Sequence, residues 1–317
     1  MKDNHDMDQL FNFDHKEKDL ITSAKRKSTW RMTWISGLVS VLILTLVVLI
    51  KLQLTPWLLD REIIAQEFYY EVHGANTFVG LWDESIRLIG SSAKAPRYKL
   101  VQGQPVYRGD VTNDSSPVEV HVSADPLQAY DYYGNKMMQF IHPQTASSDV
   151  PNDLFGMDAM LDNTIIEMGV SFNDAYSLDS VRRMLPEGLD LQWVWVDAFP
   201  VIEEEEAFEM ILTENEVIGY PLIDETGKEI MDPIEHFMDV LEIGKDRGGR
   251  YKQEIASIQA AMHETRTLDE TTKNVIGAVV IGDKEALRNL RNDPMVRATS
   301  VGAIVHPVIG KGEMENE

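Results

Sequence analysis

The chain has 317 residues, a net charge of −23 and no cysteine. The missing thiols exclude disulfides, thiolate zinc sites and cysteine nucleophiles, and the acidic excess disfavours nucleic acid and anionic headgroups as partners. A chain of this length holds one or two domains with substantial cores.

The first 31 residues carry seven Lys/Arg and six Asp/Glu, so the acidic excess lies beyond them. Within this tail Leu10, Phe13, Leu20 and Ala24 recur near one helical face, with Phe11 and Ile21 beside it and Glu17 interrupting it. A segment of roughly 30 residues cannot build a core of its own, so any activity it has is docking and not catalysis. Leu10, Phe11, Phe13, Leu20 and Ile21 are therefore its candidate contacts, in the manner of a short helix laid into a partner's groove. The plain alternative is an unstructured segment with incidental aromatics. Lys25, Arg26 and Lys27 read first as a topology signal that meets lipid phosphates, and second as a contact for an acidic partner.

Met32 to Ile50 is apolar and uncharged. Crossing a bilayer takes about 20 such residues. Its few polar members, Thr33, Ser36, Ser40 and Thr45, can bond back to helical carbonyls, and Trp30, Trp34 and Trp57 flank it where amphipathic rings favour the headgroup zone. A buried core helix is rarely apolar on every face over such a length. A cleaved signal sequence would need a small-x-small site, which the sequence after Lys51 does not show. Six basic residues, Lys16 to Arg31, precede the span and only Lys51 and Arg61 follow closely. The positive-inside rule then puts the N-terminus in the cytoplasm and the rest of the chain outside the cell membrane.

From Thr55 to about Gln144 the sequence reads as short strands and turns. Glu67 to His73 and Tyr98 to Val101 are β-prone, and Val118 to Val122 alternates. A polar, turn-rich stretch from Ala146 to Asp153 marks a domain boundary. Beyond it helices alternate with strands: a helical turn over Leu154–Leu161, a strand from Thr164, a helix capped by Ser177, and a strand from Leu189 to Val196. Glu203–Glu206 reads as a solvated edge, since adjacent acids do not converge on one ion. Asp232-Pro233 opens a helix, Tyr251 to Met262 gives a second apolar stripe, and Val275–Ile281 and Val296–Val305 are strands joined by a helix begun at Asp283. A strand-helix-strand order of this kind allows a parallel crossover, and helix, proline turn and strand occur twice. Two βα-type halves are the expectation.

A nucleophile elbow, a His-Glu-x-x-His, a P-loop and a dinucleotide fingerprint are all missing from the sequence. His236 reads as a surface histidine, and Gly277 and Gly282 read as packing and turn glycines. The chain is therefore expected not to be an enzyme and to need no metal or cofactor, although acids that meet only in the fold are not visible in sequence.

The order of features resembles the sigma factor regulator family, the membrane-anchored anti-sigma factors of extracytoplasmic-function sigma factors, with the anti-sigma-M type among them. The residues that carry the resemblance are Phe11-Asn-Phe13 and Ala24 to Ser28 before the span, then Tyr98 to Val101, Met138 to Pro143, Ser171-Phe172, Trp193 to Asp197, Gly219-Tyr-Pro221, Gly277 to Gly282 and Ala298 to Gly302. The resemblance implies a tail that holds a sigma factor at the membrane, an outer domain that senses or receives an envelope signal, and a second membrane protein as a possible helper. The expected architecture is a single-pass membrane protein with a cytoplasmic tail (1–31), a transmembrane helix (32–50) and an extracytoplasmic α+β or α/β region. That region comprises a β-rich part (51–150), a sigma regulator C-terminal domain (151–310) and a loose tail (311–317). The alternative is an outer receptor or binding module whose tail is only an anchor.

Overall fold

A computed structural model describes residues 4–87, 90–114, 128–146, 149–161, 163–198, 211–264 and 272–306, with the backbone alone for 4–16, 263 and 264. The strand expected at Val118–Val122, the acidic run Glu203–Glu206 and the tail 311–317 lie outside the described residues. The chain divides into two units, Met1–Trp57 and Leu58–Glu317.

Helix α1 (Asn4–Val72) supplies the described part of the first unit and the opening turns of the second. Among the described residues it is the one helix long and apolar enough to cross a membrane. The large apolar side chains from Met32 to Ile50 are exposed. The expected hydroxyl bonds form, with Thr33 Oγ1 donating to the Thr29 carbonyl and Thr45 Oγ1 to that of Val41, each at 2.9 Å.

The strands and turns expected from Thr55 onward begin later than the sequence implied. The helix runs through Pro56 to Val72, and of Glu67–His73, read as β-prone, the first six residues end the helix and only His73 lies beyond it. The reason is burial at helical spacing. Leu59, Ile63, Gln66 and Tyr70 are buried, as are Ala65, Tyr69 and Val72, and this side of the helix outweighs the β preference of Phe, Tyr and Val. Tyr69 is tied further by its hydroxyl, which donates to the Asn215 carbonyl at 2.6 Å.

The chain leaves α1 by a turn in which Gly74, Ala75 and Asn76 all have positive φ, 90°, 40° and 69°. It then forms β1 (Phe78–Val79), β2 (Asp83–Ile86), β3 (Ser91–Val101) and β4 (Gln104–Thr112), with β3 at the centre pairing antiparallel to the other three. Two short strands follow, β5 (Ala129–Tyr130) and β6 (Lys136–Met137), which pair with each other, and then β7 (Gln139–Ile141).

After a 3₁₀ segment at Asp153–Ala159 come β8 (Ile165–Tyr176), α2 (Leu178–Met184) and β9 (Asp190–Val196). Next are β10 (Ile211–Thr213), β11 (Gly219–Pro221), α3 (Pro233–Arg247) and α4 (Lys252–Glu264). The last elements are β12 (Val275–Asp283), α5 (Lys284–Arg288) and β13 (Val296–Val305). The helix starts fall where sequence placed them: Ser177 Oγ accepts from the Ser180 amide and Asp283 Oδ1 from that of Ala286.

The five-stranded sheet has the order β11-β9-β12-β8-β13, and every neighbouring pair is antiparallel. This settles the α+β against the α/β expectation. The two halves, β8-α2-β9 and β12-α5-β13, interleave, so that the strands of each half run parallel but have a strand of the other half between them. This is the split βαβ, ferredoxin-like arrangement. No parallel neighbours arise from the β12-α5-β13 crossover because β8 occupies the gap.

One face of this sheet meets the helices. Ile166, Met168, Val170 and Phe172 of β8 share a core with Leu178 and Val181 of α2, Phe237 and Leu241 of α3, Ile255 and Ile258 of α4, and Leu287 of α5. The opposite face places Trp193 and Trp195 against Met138 and Phe140 from the segment around β7. The parts on either side of residue 150 are joined by the antiparallel pairing of β7 with β10.

Gly277 is a packing glycine, as read. A Cβ there would come within 2.7 Å of the Val170 carbonyl oxygen and 2.8 Å of the Trp195 ring, at a register shift in β12. Gly277→Ala is expected to force β12 away from β8 and cost about 1–3 kcal/mol, measured as a fall in the denaturation midpoint of the full chain.

Candidate functional site

In the first unit, Leu20 and Ile21 are 67% and 55% exposed, and Lys25, Arg26 and Lys27 are exposed as well. At roughly 100° per residue, the helical backbone puts positions 10, 13, 20 and 21 within one arc of about 100°. Position 11 falls to the side of that arc. The side chains of Leu10, Phe11 and Phe13 lie outside the described residues. The three basic residues are consecutive, so they fan around the helix instead of sharing its apolar arc.

In the second unit the most constrained polar group is Lys99 on β3, whose side chain is fully buried. Its ammonium lies 3.1 Å from Glu167 Oε2 on β8, 2.9 Å from Glu214 Oε2 after β10, and donates to the Ala75 carbonyl at 3.2 Å. Arg108 of β4 reaches Glu214 Oε1 at 3.2 Å. The amides of Met138 and Ala303 donate to Glu214 and Glu167, and Asn76 Nδ2 donates to Glu167 Oε1 at 2.9 Å. Two cations thus meet two carboxylates, with main-chain donors filling the remaining lone pairs. Burial alone would raise the Glu214 carboxyl, but Lys99 and Arg108 beside it hold it below its ordinary value.

Sequence reasoning did not pair these residues. The available signal was a single charge inside an apolar run, Lys99 in Tyr98-Lys-Leu-Val and Glu167 in Ile165-Ile-Glu-Met-Gly-Val.

The turn that carries Asn76 also borders a cleft of about 640 Å³. Its walls include Tyr70, Phe78, Trp82, Tyr98 and Trp193, and its acids are Glu67, Glu71, Asp224 and Glu225. The Trp82 indole N–H donates to Glu67 Oε1 at 3.1 Å, and Glu71 Oε2 lies 3.4 Å from His236 Nε2. Burial raises the Glu67 carboxyl, the Trp82 bond opposes this, and Glu71 adds to it. The bond to Glu71 raises the His236 imidazole. Asp224 is anchored by the Thr226 hydroxyl and the Thr226 and Lys228 amides, which lower its pKa. His236 is exposed, as sequence placed it, but it is paired.

Residues 157–303 match the family model described as sigma factor regulator C-terminal. Over these residues the chain carries a domain of the sigma factor regulator type. No curated protein and no solved structure gives a match. The regulator domain spans β8 to β13, so the match covers the interleaved sheet and its helices. The match points to a sigma factor as the kind of partner, and α1 fits a membrane anchor. The buried charges tie the matched domain, through Glu167 and Glu214, to Lys99, Arg108 and Asn76 upstream of it. The regulator's cleft is likewise shared, with Trp193 and His236 inside the match and Glu67 to Tyr98 before it.

Lys99→Met leaves two buried carboxylates with one cation and is expected to cost about 3–5 kcal/mol, measured by chemical denaturation. Because the folded Glu214 carboxyl lies below its ordinary 4.5, its stabilisation is complete above that pH and is lost as pH falls through the lower folded value. Glu214→Gln is therefore expected to flatten the acid limb of the stability–pH curve while lowering its plateau.

Proposed function

We propose that the chain is a membrane-anchored anti-sigma factor that negatively regulates an extracytoplasmic-function sigma factor, of the anti-sigma-M type. One observation carries the reading: a sigma factor regulator C-terminal domain follows, in the same chain, a helix apolar enough to span a bilayer and preceded by basic residues. The basic residues before the span favour a cytoplasmic N-terminus. The short N-terminal segment then holds the sigma factor, and Leu10, Phe13, Leu20 and Ile21 on one arc, with Phe11 beside them, supply the apolar contact. Lys25, Arg26 and Lys27 meet lipid phosphates or acidic groups of the partner. The outer unit receives an envelope signal, a second membrane protein assists the tail, and regulation proceeds by binding without catalysis.

The cleft in the second unit supports a second reading, an outer receptor for which the tail is only an anchor. Exchanging residues 1–31 for an unrelated cytoplasmic anchor separates the two: regulation is lost in the first and kept in the second.

Replacing Leu10, Phe11 and Phe13 together by Ala is expected to raise sigma-dependent transcription to the level of a deletion strain; unchanged transcription removes the contact assignment. A reporter joined after Val305 is expected to be active only when it is an enzyme that works outside the cytoplasm.

A further inference from the structure

The cleft has a chemistry that sigma factor binding does not use. We propose that it is a binding site for a small organic cation with an apolar body, an aryl- or alkyl-ammonium.

Three independent features point to that class. The walls are aromatic: Phe78 and Tyr98 stack with centroids 5.9 Å apart, and Trp82 and Trp193 line the same space. Ring faces of this kind hold both an apolar body and a positive charge. The charged lining is acidic apart from the imidazole of His236, which pairs with Glu71. Glu67, Glu71, Asp224 and Glu225 border the cleft, and its described lining contains neither Lys nor Arg. Glu225 borders the same cleft as Tyr98 and His236.

The third feature is Asn76. It lines the cleft at 2% exposure, its amide nitrogen is committed to Glu167, and its Oδ1 has no hydrogen-bond partner. A buried acceptor left without a donor is costly; closed to solvent, it adds negative potential behind the cleft wall and makes no direct contact with an occupant. An anion would meet four carboxylates, offset only by the His236 imidazole that is already paired with Glu71. The volume of about 640 Å³ falls in the range of small-ligand sites. Asn76 also bonds the buried Glu167, so the cleft wall is continuous with the charge cluster of the second unit.

The test is calorimetric titration of the full chain in nonionic detergent with 2-phenylethylammonium, against the neutral 2-phenylethanol and the anionic 3-phenylpropionate. Saturable binding of the ammonium alone is expected. Trp82→Ala abolishes it, and the exposed double variant Glu71→Gln/Glu225→Gln weakens it by about tenfold. Glu285→Gln on α5, outside the cleft lining, leaves it unchanged. Absence of saturable binding overturns the proposal, as does equal binding of 2-phenylethanol or an unaltered affinity in a folded Glu71→Gln/Glu225→Gln variant. The measurement reads no transcription, so it can fail while the anti-sigma reading stands, and the reverse.

Discussion

An ammonium ion sealed from water decides how the second unit is assembled. Lys99 has no solvent to share its charge with, so Glu167 and Glu214 must both arrive for the fold to close. Stripping an ion of water costs several kcal/mol, and only good geometry with additional hydrogen bonds offsets this. Here the offset comes from Arg108, from the Met138 and Ala303 amides and from Asn76. Those groups sit on β4, on β13, beside β7 and on the turn after α1. The cluster therefore fixes the mutual register of elements that are distant in sequence, in a way that apolar contacts alone would leave free to slide.

The regulator domain also shares its packing with the segment before it. Its sheet has helices on one face, but the face with Trp193 and Trp195 is covered by Met138 and Phe140 from upstream. Without that cover, two indole rings and the carboxylate of Glu167 would be open on a flat surface. The segment between α1 and β8 is thus both the lid of the sheet and one wall of the acidic cleft, and each role limits how far its residues can change.

Much of the matched domain was legible from residue pattern. Its helices begin at Ser177, Asp232 and Asp283, residues that stop a chain from continuing as strand, and its strands are nearly unbroken apolar runs, so local chemistry alone announces them. The interleaved order of the strands was not legible, because it rests on pairings between segments far apart, such as Val301 with Met168, that leave no local trace. The end of α1 was misread for a different reason. Phe68, Tyr69, Tyr70 and Val72 have β-prone side chains, and only the burial of Leu59, Ile63 and Gln66 one and two turns earlier shows that they continue a helix. That error also hid the cleft, since Glu67, Tyr70 and Glu71 converge only at helical spacing. Near the amino end the helical backbone keeps positions 10, 13, 20 and 21 on one arc and sets position 11 to its side.

The topology of the five-stranded sheet bears on how the protein is made. β8, the first of its strands, is flanked by β12 and β13, the last two. Synthesis proceeds from the amino end, so β8 emerges long before either neighbour exists and waits with its edges open. Long-range pairing of this kind is slow and leaves unpaired edges accessible meanwhile. The nascent second unit is therefore open to chaperones and proteases until Val305 is delivered, so its yield depends on that interval as well as on the stability of the finished fold.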